Sequence, residues 1–111
     1  MLPRSQRLSA EQFASVMKDG RVSHSSLFLL RAKSGTADTR VSTTVPTKIA
    51  KTAVQRNLFR RKLYEAVRLL VSDIIPHTHI AIIAKPHLFQ VSQKDIEIEM
   101  KEVFVKAKLL R

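Results

Sequence analysis

Asn57, Arg61, Tyr64 and Arg68 recur at i, i+4, i+7 and i+11, so a helix through residues 51 to 68 would set them on one face. Phe59, Leu63, Ala66, Val67 and Leu70 fall on the opposite face, which gives that helix an apolar side to pack and a polar side to bind. From Lys48 to Leu70 the basic residues are Lys48, Lys51, Arg56, Arg60, Arg61, Lys62 and Arg68, and Glu65 alone opposes them. A solvated helix ordinarily interleaves Glu with Lys or Arg to relieve repulsion and gain i,i+4 pairs. An excess of cations on one face fits a polyanion, and arginine's planar fork matches phosphate oxygens in pairs.

The four histidines, His24, His77, His79 and His87, include an H-x-H pair that in principle suits metal binding or acid/base chemistry. Neither a carboxylate nor a cysteine neighbours them at ligand spacing, so they read as structural. Asp95, Glu97, Glu99 and Glu102 read as the solvent face and negative first turns of a last helix. Phe13, Met17 and Phe28 have the pattern of core residues. Partly open beside a sheet and bordered by a cation such as Lys85, they would instead form an apolar floor on which single-stranded RNA stacks.

The remaining chain must position these groups. Its 111 residues suffice for one domain, residues 1 to 111, with a single modest core, and 44% of them are apolar. The net charge of +11 points to nucleic acid before an anionic membrane surface. Without cysteine there is no disulfide framework, thiolate zinc site or cysteine nucleophile. The opening MLPRSQRLSAEQF lacks an apolar run, so neither a signal peptide nor a membrane span is expected, and a cytoplasmic protein is the simplest expectation.

After a basic lead of Pro3, Arg4 and Arg7, Ser9 and Gln12 form a capping box that predicts a helix from Ala10 to Lys18, stopped at Gly20. SLFLLR (26 to 31) and TRVSTTV (39 to 45) read as strands of one hairpin, with 33 to 38 as its turn, and Pro46 either ends the second strand or begins an irregular strand end. The basic helix should run from Thr52 to Val71. A buried strand follows over His79 to Ala84, bounded by Pro76 and Pro86, and Ile96, Met100, Val103, Ala107 and Leu110 predict a terminal amphipathic helix from Ser92. The expected fold is α+β, a small mostly antiparallel sheet with helices packed against it, in the order α-β-β-(β)-α-β-α.

Ala53, Val54, Gln55, Arg56, Asn57, Leu58, Phe59, Arg60 and Arg61 form a run AV-x-RN-x-x-R-R, followed by Glu65, Ala66 and Arg68. With Leu2-Pro3, Arg7-Leu8 and Phe13 before it and IAIIAK (80 to 85) after it, the chain resembles the bacterial ribonuclease P protein component over nearly its whole length. It departs from that pattern at Leu58 and Tyr64, where the family often carries further basic residues, and at Ala50, where it has glycine.

The resemblance implies a left-handed β-α-β crossover, contrary to the usual hand. It also implies a protein that is not itself the catalyst. The RNA subunit, with magnesium, removes the 5′ leader of precursor tRNA, while the protein binds that RNA and the leader and holds no metal tightly by itself. The implied RNA-binding residues are Lys48, Lys51, Arg56, Asn57, Arg60, Arg61, Lys62, Tyr64 and Arg68. The implied leader cleft is Phe13, Met17, Phe28 and Lys85. The expected partners are the ribonuclease P RNA and precursor tRNA, with no membrane and no obligate protein partner. The alternatives are a structural RNA-binding protein of ribosomal type and a free-standing nuclease, the latter disfavoured because no catalytic cluster is visible.

Overall fold

The computed structural model describes residues 7–111, so the parts of the lead and opening pattern that fall on Leu2, Pro3 and Arg4 lie outside it. The chain forms α1 (Ala10–Asp19), β1 (Arg21–His24), β2 (Phe28–Ser34), β3 (Arg40–Thr44), α2 (Ala53–Arg68), β4 (Thr78–Ala84) and α3 (Gln93–Lys106). Short 3-10 turns follow α2 at Val71–Asp73 and β4 at Pro86–Gln90.

The capping box predicted for α1 is present: Ser9 Oγ accepts from the Gln12 amide at 3.2 Å, and Gln12 Oε1 accepts from the Ser9 amide at 2.8 Å. Gly20 ends the helix with its amide 2.7 Å from the Val16 carbonyl. A Cβ at Gly20 would lie 2.4 Å from that same oxygen, so glycine alone allows α1 to pass directly into β1.

The strands lie in the order β1-β2-β4-β3; β1 and β4 run antiparallel to β2, and β3 runs parallel to β4. The expected hairpin of the 26–31 and 39–45 segments is therefore wrong, because β4 inserts between them. The physical reason is burial. Every residue of β4 except half-buried Ile83 is buried, and a strand apolar on both faces gains most from the central position, covered on both sides. Strand β1 escapes a pattern reading because RVSH carries too little apolar signal, and it occupies an edge, largely exposed. The second strand ends just before Pro46, at Thr44, and the proline opens a turn in which the Ile49 and Ala50 amides bond its carbonyl.

Helices α2 and α3 cover one sheet face. Phe28 and Leu30 from β2, Ile80 and Ile82 from β4 and Val41 from β3 meet Leu63, Ala66 and Val67 from α2 and Ile96, Met100, Val103 and Phe104 from α3. On the other face lies α1. Arg31 Nη1 donates to the Met17 carbonyl at 2.9 Å and Lys33 Nζ to Ser15 Oγ at 2.6 Å, which fixes the odd-numbered residues of β2 toward that helix.

Helix ends differ modestly from expectation. α2 stops at Arg68 and yields to the 3-10 turn. α3 stops at Lys106, after which Leu110 leaves the helical stripe and bridges to Ile74.

Candidate RNA-binding surface

Thr52 caps α2 by accepting from the Gln55 amide at 3.1 Å, and the first turns of the helix then run free of the core. Val54 is 79% exposed and Leu58 50% exposed, while full burial begins only at Leu63. The amino-terminal half of α2 is thus a projecting basic rod, and its carboxy-terminal half is the part that packs.

The predicted RNA-binding residues occupy different environments on α2 and on the loop before it. Lys48, Lys51, Asn57 and Arg61 are exposed. Arg56 folds back, its Nη1 donating to the Ala50 carbonyl at 3.0 Å and the Lys51 carbonyl at 3.1 Å, so it braces the approach loop. Arg60 Nη2 donates to Asn57 Oδ1, which orients the two side chains together, while Arg60 Nε is buried without a partner. Lys62 is half-buried with its ammonium 5.3 Å from the centre of the Phe59 ring, a cation–π contact, and its backbone carbonyl accepts from Gln93 Nε2 at 2.9 Å. Arg68 donates through Nε and Nη2 to Glu65 at 3.2 and 3.0 Å. Such an exposed i,i+3 pair is worth only about 0.3–0.5 kcal/mol and opens readily for a phosphate.

Tyr64 departs from the predicted binding face. It is 5% exposed, because α2 packs against β3 as well as α3 and its apolar stripe is accordingly wider than the i, i+4 spacing implies.

The second feature is an open groove of about 730 Å³ between α1 and β3, bordered by Arg7, Phe13, Arg40, Ser42, Thr44 and Tyr64. Its amino-terminal wall is tied to β3: the Leu8 amide donates to Ser42 Oγ at 2.8 Å and Arg40 Nη1 to the Arg7 carbonyl at 3.1 Å. Arg40 Nε bonds Asp38 Oδ2 at 2.8 Å, and the other oxygen of Asp38 lies 2.8 Å from Nε2 of buried His79. A carboxylate only accepts, so both partners donate. These contacts, His79 first and Arg40 second, hold the Asp38 carboxyl below its ordinary pKa.

Of the predicted leader cleft, Phe13 and Met17 are half-buried on the α1 face. Lys85 is anchored at the end of β4, with Nζ 2.8 Å from the Ser25 carbonyl and 3.4 Å from His24 Nδ1. Phe28 is excluded. It is fully buried and pairs with Ala84 on the opposite, α2/α3 face, so the partial exposure expected of it is wrong. Strand parity puts Leu29 on the α1 side in its place, paired with Ile83, and both are half-buried. SLFLLR is apolar at both parities and hides which set faces which way.

The histidines do not converge. His77, with φ +58°, closes the turn through Nδ1 and the Thr36 carbonyl at 3.1 Å, while His79 meets Asp38. Among the described residues no group of three His, Cys, Asp or Glu could hold a metal. The carboxylate that partners His79 lies 41 residues away, outside the reach of a spacing argument.

A family model described as ribonuclease P matches residues 2–108. The chain belongs to the ribonuclease P protein family. It is 32% identical over 114 residues to a ribonuclease P protein component of a Pseudanabaena species, covering 99% of this chain and 97% of that one. It is 30% identical to that of an Exiguobacterium species, covering 89% and 86% respectively. A solved Staphylococcus aureus RNase P protein shares the fold, with a TM-score of 0.83 at 21% identity, covering 96% of this chain and 98% of that one. The Thermotoga maritima RNase P protein does so with a TM-score of 0.74 at 20% identity, covering 86% and 92%.

The chain is therefore a protein component of ribonuclease P, a tRNA-processing ribonuclease, and its partner is the ribonuclease P RNA. The ribosomal-type alternative falls away. None of its described helices is long and apolar enough to cross a membrane.

Proposed function

We propose that the outer face of α2 binds the ribonuclease P RNA, that the α1 face of the sheet binds the single-stranded 5′ leader of precursor tRNA, and that both act in the cytoplasm. The magnesium belongs to the RNA subunit, which performs the hydrolysis. The protein's own contribution is to neutralise phosphate, with Lys48, Lys51, Arg60, Arg61 and Arg68, and to hold the leader so that cleavage falls at the mature 5′ end.

The observation that carries this reading is the adjacency of the two surfaces: α2, whose first turns are the basic rod, borders the groove beside α1 with Tyr64 in its later turns, so one RNA–RNA junction can contact both. A groove of mixed polar and apolar lining, with an aromatic residue, Phe13, and cations at its rim, suits single strands, whose bases stack while charge tracks the backbone.

The test is reconstitution. Rigorously purified protein should leave precursor tRNA intact, and addition of a bacterial ribonuclease P RNA with magnesium should yield cleavage at the tRNA 5′ end. Cleavage by the protein alone, abolished in His79→Ala, would instead make it a nuclease in its own right.

A further inference from the structure

The groove does not stop at the sheet face. β3 is an edge strand, hydrogen-bonded to β4 on one side only, and the groove wraps around its free edge. Ser42 and Thr44 border it from the α1 side, while Thr43, of opposite parity, borders it from the side of α2 together with Tyr64.

Among the described residues, two buried polar atoms at this edge lack partners. Thr43 is 6% exposed, and its Oγ1 makes no hydrogen bond; Arg7 Nε is likewise buried and unbonded among the described residues. Tyr64, 5% exposed, borders the same groove. Ser42, by contrast, is already engaged by the Leu8 amide. A buried hydroxyl without a partner is costly, and native proteins keep few of them. Thr43, Tyr64 and Arg7, which carry a hydroxyl, a phenol and a guanidinium, all line this groove.

Resting on the leader reading above, we propose that this edge is a ribose-reading subsite: Arg7 takes a leader phosphate, and the Thr43 and Tyr64 hydroxyls take the neighbouring 2′-hydroxyl. A 2′-hydroxyl both donates and accepts, as threonine and tyrosine hydroxyls do, and every ribonucleotide carries one whatever its base. The subsite distinguishes RNA from DNA without reading sequence.

The experiment uses holoenzyme reconstituted with a bacterial ribonuclease P RNA and compares precursor tRNA carrying an all-ribo leader with the same tRNA carrying a 2′-deoxy leader, and with mature tRNA. The native holoenzyme should favour the ribo leader by roughly 2–12-fold, the worth of one net hydrogen bond. Thr43→Val keeps the side-chain shape and breaks no existing bond. It should leave the thermal transition unchanged or raised and bring the ribo/deoxy ratio toward one by weakening the ribo leader alone, and Tyr64→Phe should act in the same direction.

An undiminished ratio in both variants, or none in the native holoenzyme, overturns the subsite. Weakening that falls equally on mature tRNA overturns it too, by assigning the hydroxyls to the RNA subunit. If Phe13→Ala abolishes the preference for precursor over mature tRNA while Thr43→Val leaves the ratio intact, the leader reading stands and the subsite alone fails. If native holoenzyme binds precursor and mature tRNA equally, both fail.

Discussion

The two faces of the sheet are built from adjacent residues of the same strands yet do opposite work. Phe28 and Leu30 enter a closed aliphatic layer under α2 and α3, whereas Leu29, Arg31 and Lys33, interleaved with them, lie under α1 alone. The first layer is closed by two helices. The other is a single short helix held by side-chain bonds from Arg31, Lys33, Arg40 and Ser42, with an open groove at its margin. Stability is concentrated on the first face and adaptable surface on the second, the division expected when one side of a small domain must fold it and the other must bind.

The largest effect should separate those roles. Phe28→Ala removes a fully buried aromatic ring and should cost about 3–5 kcal/mol of folding free energy, measured by chemical denaturation. Phe13→Ala, half-buried on the other face, should cost far less stability. It should instead weaken precursor tRNA relative to mature tRNA by about 1–3 kcal/mol, the worth of one base stacked on an aromatic ring. A large drop in stability from Phe13→Ala with no effect specific to the leader would erase the distinction between the faces.

Much of this architecture is legible in the sequence. The capping box of α1, the stop at Gly20 and the apolar run of β4 are local chemistry, and each names its element within a residue or two. Strand pairing is not. Nothing in residues 26–45 says that a strand from residue 78 onward will insert between them, because that choice is made by burial across the whole sheet. Phe28 is misplaced by its sequence for a related reason: apolar residues at both parities conceal the inward set until a neighbouring strand fixes the face. Tyr64 is misplaced because a single helical stripe implies one packing partner for α2, which has two. Arg7, Arg40 and the β3 hydroxyls carry no sequence pattern of their own, and only the edge position of β3 gathers them into a groove.

The basic rod offers a second way to sharpen the contrast, since its arginines carry charge while Phe59 makes its contact with the core. Arg60→Ala combined with Arg61→Ala should leave the thermal transition nearly unchanged and reduce the salt dependence of RNA-subunit binding. With two fewer phosphates neutralised, the log–log slope should shrink by roughly 1.4–1.8 units. Arg56→Ala should behave differently, because its guanidinium holds the Ala50 and Lys51 carbonyls, and part of its effect should appear as a less ordered approach to α2. A slope unaffected by the double substitution would make these arginines ordinary solvated charge.

The smallest effect concerns how the two faces respond to acid. Among the described residues the core cluster under α2 and α3 holds no carboxylate or histidine, but the α1 face is anchored through Asp38, whose two oxygens bind His79 and Arg40, and Arg40 in turn holds the Arg7 carbonyl at the groove wall. His79 and then Arg40 lower the Asp38 pKa beneath its ordinary value of 3.8. The unfolded chain therefore binds its proton at higher pH than the folded one. The stabilisation is fully present above that ordinary value and is lost as pH falls through the lowered one. Native protein should accordingly show a steeper fall of melting temperature below about pH 4 than Asp38→Asn, which has no carboxylate to protonate. At neutral pH the two should differ only modestly, because the Asp38 side chain is 43% exposed and solvent screens its partners. Parallel acid limbs in circular-dichroism melts would show that the carboxylate does not couple to folding, and that the groove wall is held by the Leu8–Ser42 bond instead.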